Sequence, residues 1–237
     1  MAAPEASEHA GLAERLAEVR GGIADACRSA SRDPESVALI VVTKFHPASL
    51  VAALAGLGVR DVGENRHQEA RAKAEELAAL DLRWHFIGQL QSKKARQVAA
   101  YAHAIHSIDR EAVIDPLDRL AEEGGLRAPV DAFMQINLTD DPGRGGVPPE
   151  SIEALAERML AAPSLRLRGV MAVAPLDEEP ARAFERLAGY SSRVRALDPS
   201  AEAISAGMTH DYAEAIAHGA THLRIGSAIT GKRPEAG

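Results

Sequence analysis

Val37-Ala-Leu-Ile-Val-Val-Thr-Lys44 opens with six apolar residues, closes on Thr-Lys, and is followed by a helical pattern over 49–57. A short apolar run with those flanks reads as a buried strand feeding a crossover helix. The unit then repeats. Runs at 38–43, 60–63, 84–88, 104–108, 130–137, 167–173, 203–205 and 222–226 give eight predicted strands. Helical patterns at 49–57, 66–80, 92–99, 110–123, 149–160, 179–197 and 211–218 separate them.

Upstream, Leu12, Leu16, Val19, Ile23 and Cys27 recur at steps of three or four and predict one leading helix. Ser31-Arg-Asp-Pro34 ends it, because proline lacks the donor and disfavours helix in the residue before it. Strict strand–helix alternation means parallel strands. Eight such units after one helix predict an α/β fold, a single (β/α)8 TIM barrel with an extra N-terminal helix, as one domain over 1–237. The alternative, an open doubly wound sheet, wants a G-x-G-x-x-G after the first strand, and none is there. The loop over 138–149, after strand five, reads equally as a mobile flap or a plain connector.

Composition narrows the function classes. The chain has 237 residues, with 27 basic against 34 acidic side chains and a net charge of −7, which argues against a nucleic-acid binder. Its one cysteine excludes an internal disulfide framework and fits a reducing cytoplasm. The acidic N-terminus does not resemble a signal peptide. No apolar run nears the roughly 20 residues of a spanning helix, so no membrane association is expected.

A barrel of this kind carries its site at the C-terminal ends of the strands. Of the five lysines, only Lys44 directly ends an apolar strand. A lysine of ordinary pKa, about 10.4, is neutral in roughly one molecule in 2,500 at pH 7. Partial burial beside another cation lowers that pKa and makes a Schiff-base nucleophile. On position alone, a lysine snorkelling at a strand end is an equal reading. Ser205-Ala-Gly-Met-Thr209, running into a helix, offers backbone donors and hydroxyls to a phosphate, and Gly226-Ser227 follows strand eight, where barrels often bind one. Arg224 lies within strand eight and reads either as an outward salt bridge or as a cation turned toward a ligand ring. Lysine, phosphate loops and strand-borne arginine together suggest a pyridoxal 5′-phosphate (PLP) site.

At these residues a resemblance becomes specific. Val41-Val-Thr-Lys44, Val62-Gly-Glu-Asn65, Trp84-His-Phe-Ile-Gly88 with Leu90-Gln-Ser92, Ile105-His-Ser-Ile-Asp109, Leu167-Arg-Gly-Val-Met171, Ser205-Ala-Gly-Met-Thr209 and Arg224-Ile-Gly-Ser-Ala-Ile229 span most of the chain. In that order they resemble the pyridoxal phosphate homeostasis protein family, whose fold is similar to the barrel domain of alanine racemase. The resemblance implies that Lys44 carries the cofactor as a Schiff base. It further implies that Ser205, Gly207, Met208, Thr209, Gly226 and Ser227 hold the phosphate, that Arg224 faces the pyridine nitrogen, and that Asn65 lies near the ring. Gln89 and Lys93 depart from the usual Pro and Asn, Ala206 from a frequent Met, Ser227 from a frequent Thr, and Thr230 from a frequent Phe. Ser227 keeps its hydroxyl.

The expected function is non-catalytic binding of PLP in intracellular homeostasis: storage, sequestration or delivery, with apo PLP-dependent enzymes as recipients and indirect effects on amino-acid and keto-acid balance. A monomer is expected. The alternatives are a single-domain racemase and a cofactor-free lysine aldolase. Racemisation by two bases needs a second group, which the resemblance places on an added β domain, and this chain ends shortly after strand eight. Tyr212 alone of the three tyrosines could approach the site, and packing is its favoured role. His103 and His106 point to opposite faces of a strand and cannot share a metal, His85 reads as an interior histidine, and His106 is kept as a minor acid/base candidate; no metal site is expected. The basic run at 91–96 reads as a solvated face.

Overall fold

Each predicted strand exists, and the eight close on themselves. The computed structural model describes residues 9–141 and 143–232; the readings of the first eight residues, and of Pro142 in the loop after strand five, lie outside the described residues. The strands are β1 (Ala38–Val42), β2 (Asp61–Glu64), β3 (Arg83–Phe86), β4 (Ala104–Ile108), β5 (Val130–Gln135), β6 (Leu165–Met171), β7 (Ala203–Ser205) and β8 (His222–Ile225). All neighbours are parallel, in the order β1 to β8, and β8 pairs with β1 in a register that sets Ile40 opposite Arg224. This is the closed (β/α)8 barrel, and the open sheet is set aside.

The helices are α1 (Leu12–Ser29), α2 (Ala48–Gly56), α3 (His67–Glu76), α4 (Ala95–Ala99), α5 (Glu111–Glu122), α6 (Ile152–Leu160), α7 (Pro180–Leu197), α8 (Tyr212–Ala217) and the short α9 (Ser227–Thr230). The five residues of the predicted stripe on α1, Leu12, Leu16, Val19, Ile23 and Cys27, are all buried. That face packs on α8 and α9, beside the seam where β8 meets β1, and Arg15 Nε donates to the Ile229 carbonyl at 2.8 Å. The leading helix therefore braces the last strand loop.

Strand five ends at Gln135, two residues short of expectation. Ile136 N still donates to Met171 O of β6 at 2.8 Å, but the other edge pairs with the following loop: Asn137 N donates to Val147 O at 3.0 Å, and Val147 N to Gln135 O at 2.8 Å. Asn137 Nδ2 also donates to Asp141 O at 2.9 Å, and Gly146 N to Asp109 Oδ2 at 3.4 Å. The loop read as a flap is tied to β5 and to the end of β4.

Alternation along the strands sorts the core into two layers. Val41, Val62, Trp84, Ile105, Met134, Leu223 and Ile225 face the helices and join their apolar stripes in one cluster. The interior holds a small cluster of Ala104, Phe133, Met171 and Ala203, and beside it the buried polar side chains of His85, His106, Ser205 and Arg224. Barrel interiors are usually filled by branched aliphatics. This one gives part of that space to hydrogen-bonding groups, each of which needs a partner. No helix among the described residues is long and apolar enough to cross a membrane.

Candidate functional site

Lys44 lies two residues beyond the end of β1, after Thr43, and is half-buried. Its Nζ sits 5.9 Å from the centroid of the Phe45 ring, and the Arg66 guanidinium carbon lies 4.9 Å from the same centroid. The backbone around it is clamped. Lys73 Nζ donates to Thr43 O at 2.9 Å, and Phe45 N donates to Glu69 Oε1 at 2.5 Å. Phe45 has φ 70°, a conformation that costs a non-glycine residue on the order of 1–3 kcal/mol and persists only where its surroundings impose it. Lys73 also binds Glu64 Oε1 and Glu69 Oε1, each at 2.7 Å, and Thr43 Oγ1 donates to the same Glu64 oxygen at 2.7 Å. Burial pushes the Glu64 carboxyl above its ordinary value, against the pull of Lys73 and Thr43.

Glu64, Glu69, Lys73 and Thr43 were not singled out from the sequence. One signal was available: His67, Ala70 and Lys73 recur at helical spacing on the inward face of α3, and a lysine on such a face needs an acid, which Glu69 supplies at i−4.

Arg224 points into the barrel, so it makes no outward salt bridge. Nη1 donates to Ser205 Oγ at 2.7 Å, and Nη2 to the Ala172 carbonyl at 2.8 Å. Burial lowers its pKa to about 10, with Asp211 opposing, so it stays a cation at neutral pH.

Ser205 ends β7 inside the barrel. It is fully buried, and its Oγ meets both Arg224 and His106 Nδ1, the latter at 2.8 Å. That hydroxyl is engaged on both sides within the barrel.

The segment after β7 turns at Gly207, φ 91°, where a Cβ would stand 2.8 Å from Ala215 Cβ and 2.9 Å from Leu223 Cδ2. Only glycine enters that turn without strain. The Met208 N–H donates to Asp211 Oδ1 at 2.6 Å, so this expected backbone donor is taken. Thr209 is half-buried, Gly226 leads out of β8, and Ser227 is exposed at the start of α9.

Asn65 is half-buried just beyond β2. Its carbonyl passes so close to Gly88 that a Cβ there would lie 2.1 Å from it, which locks the ends of β2 and β3 together. Gln89 and Lys93, the departures from the family pattern, are both exposed. The basic run at 91–96, which contains Lys93, is surface-facing at Arg96, which pairs with Glu123.

The tyrosines lie elsewhere. Tyr212 puts its hydroxyl where a side chain on Gly22 of α1 would stand, Tyr101 stacks on His67 at 5.9 Å, and Tyr190 lies under Arg193. A cavity of about 760 Å³, lined among others by Asn137, Thr139, Arg144, Glu178, Arg186 and Tyr190, opens beside the tied loop.

A half-buried strand-end lysine above a buried arginine, inside a closed parallel barrel, defines an alanine-racemase-type barrel. Residues 23–234 match the family described as alanine racemase, N-terminal domain. The pyridoxal phosphate homeostasis protein of Mycobacterium tuberculosis is 39% identical, over 94% of this chain and 93% of that one. Its Escherichia coli K12 counterpart is 37% identical, over 94% and 97%. The structure of PipY from Synechococcus elongatus with PLP bound superposes with a TM-score of 0.81 at 35% identity, covering 93% of this chain and 100% of that one. Alanine racemase from Corynebacterium glutamicum, at 16% identity and a TM-score of 0.66, is similar in fold; this chain covers 62% of it. The chain belongs to the pyridoxal phosphate homeostasis protein family.

Proposed function

We propose that this protein binds PLP at the C-terminal mouth of its barrel and acts in its homeostasis, holding the cofactor for storage, sequestration or delivery to apo PLP-dependent enzymes in the cytoplasm. The observation that carries the reading is the pairing of two differently placed cations on adjacent strands. Lys44 leaves β1 half-buried, in no ion pair with an acid among the described residues, while Arg224 on β8 is buried and pinned by Ser205 and Ala172.

The residues fit the cofactor. A buried guanidinium has five N–H donors, and two of those on Arg224 are bound within the barrel. It suits a ring nitrogen that accepts a hydrogen bond. The Gly207 turn, Thr209, Gly226 and Ser227 give a phosphate its hydroxyls and backbone at the ends of β7 and β8. The cofactor, when bound, supplies an aldehyde with which a neutral Lys44 amine condenses, releasing water. Glu69 and Lys73 fix the backbone on either side of that amine, and Arg224, always charged, keeps the ring nitrogen unprotonated. An unprotonated ring is a weak electron sink. The three tyrosines pack on Gly22 of α1, on His67 and under Arg193, and this supports binding without turnover over the racemase reading.

The test is reduction with borohydride after incubation with PLP, then peptide mass mapping. A phosphopyridoxyl group on the Lys44 peptide is expected, and steady racemase turnover is not. An adduct on another lysine, or none, contradicts the reading.

A further inference from the structure

We propose that the polar side chains inside the barrel form one hydrogen-bonded chain of fixed direction, Arg224 to Ser205 to His106 to His85 to Asp61. In this chain His106 and His85 are positioning residues for the Arg224 guanidinium. The part that concerns a bound ring rests on the function proposed above; the direction of the chain does not.

Four contacts make the chain. Arg224 Nη1 lies 2.7 Å from Ser205 Oγ, which lies 2.8 Å from His106 Nδ1. His106 Nε2 lies 2.9 Å from His85 Nδ1, and His85 Nε2 lies 2.8 Å from Asp61 Oδ1. Each link falls in the normal hydrogen-bond range.

Both ends run one way only. A guanidinium donates and never accepts. A carboxylate accepts and never donates. Burial pushes the Asp61 carboxyl up, but the hydrogen bonds from His85 and Arg83 outweigh it and leave the group below its ordinary value, hence ionised. Between these ends stand Ser205, whose hydroxyl has a single hydrogen to donate, and two histidines, each with one acceptor and one donor when neutral. They satisfy every link in a single arrangement: Ser205 O–H donates to His106 Nδ1, His106 Nε2–H to His85 Nδ1, and His85 Nε2–H to Asp61.

The reverse arrangement fails on chemistry. If His106 carried its hydrogen on Nδ1, Ser205 Oγ would accept from two sides and its own hydrogen would be buried unpaired, which folded proteins avoid. If His106 held both hydrogens, it would be a cation at a fully buried position beside Arg224. Burial, then His85 and Arg224, hold its pKa well below the ordinary value.

The rings cannot turn to other partners. His106 stacks face to face on Phe133, centroids 4.2 Å apart and planes 14° off parallel, and meets His222 edge-on at 6.4 Å. His85 meets His103 edge-on at 5.7 Å.

Asp61 opens β2, at the end of the barrel opposite Lys44, and pairs with Arg83 there. The chain therefore ties the guanidinium beneath the mouth to a carboxylate at the far rim. Every O–H and N–H along it points from Arg224 toward Asp61, so each negative end faces the guanidinium. The arrangement holds the charge of Arg224 in place and fixes which of its N–H groups remain for a ligand.

The first test needs no ligand. Long-range ¹H–¹⁵N correlation spectra of the full ¹⁵N-labelled chain are expected to show, in His85 and His106 alike, the hydrogen on Nε2 and a bare Nδ1. A hydrogen on Nδ1 of either ring overturns the direction. The second test adds PLP to wild type, Asp61→Asn and His106→Phe. Asp61→Asn changes a partly exposed carboxylate remote from the mouth, and serves where His106→Phe does not fold. A displaced visible absorption band and a several-fold loss of PLP affinity in the folded variants support the coupling. A band and affinity identical to wild type in folded Asp61→Asn overturn it. No band in wild type overturns the PLP reading, and the tautomers alone then decide the chain.

Discussion

Lys73 Nζ lies 2.9 Å from the carbonyl oxygen of Thr43, and through that contact a buried lysine on α3 sets the backbone from which Lys44 projects. The same ammonium carries Glu64 and Glu69, whose carboxylates reach Thr43 Oγ1 and Phe45 N. Removing one member of a buried ion pair leaves an uncompensated charge, which costs about 3–5 kcal/mol. Lys73→Met is expected to lose stability in that range in urea unfolding and to slow adduct formation on Lys44. Glu64→Gln, which still accepts from Thr43 and Lys73, is expected to lose less than half as much. A loss under about 1 kcal/mol in Lys73→Met would contradict the clamp.

Gly207→Ala places a Cβ at positive φ within 3.1 Å of the backbone of Tyr212 and closer still to Ala215 and Leu223. Overpacking of this kind costs about 1–3 kcal/mol. The variant is expected to melt lower and to bind PLP more weakly, since the turn belongs to the proposed phosphate loop. Unchanged melting would mean that the turn relaxes freely.

Ser227 separates phosphate recognition from ring recognition. Losing a hydrogen bond to a charged group costs about 1.5–3 kcal/mol, roughly tenfold or more in affinity. Ser227→Ala is expected to weaken PLP by about that factor while leaving pyridoxal, which lacks the phosphate, unaffected. An equal loss for both ligands would place the phosphate elsewhere. Titration followed by absorbance reads both.

His222 makes stability depend on pH. Burial, then His85, lower its pKa to about 4, against about 6.5 in an unfolded chain. The folded state disfavours the proton, so the contribution is complete above pH 6.5 and is lost as the pH falls from 6.5 to 4. One such group gives a slope of about 1.4 kcal/mol per pH unit in that window. His106, shifted the same way, steepens it. Unfolding free energies from pH 7 to 4 are expected to fall along this slope and to fall less in His222→Gln; equal slopes would contradict the assignment.

Strand and helix order was legible because a two-residue period and a 3.6-residue period leave different traces. The 38–43 run and the Leu12–Cys27 stripe settled where the barrel begins. Lys44 and Arg224 stood out because charge inside an apolar run must be explained. What stayed hidden depends on closure. Ser205 reads as a loop hydroxyl until the strands curl and bring His106 beneath it, 99 residues away in sequence. Asp61 and His85 likewise meet only through the parallel register of β2 and β3. The tied loop after β5 shows no period, so its hydrogen bonds to β5 and Asp109 left no trace in the sequence.

The most direct test is the visible absorption spectrum of wild type and Lys44→Ala, each incubated with PLP. An imine band in wild type that the variant lacks is the result expected from a cofactor held on Lys44. A band of equal strength in both, or none in either, would contradict it.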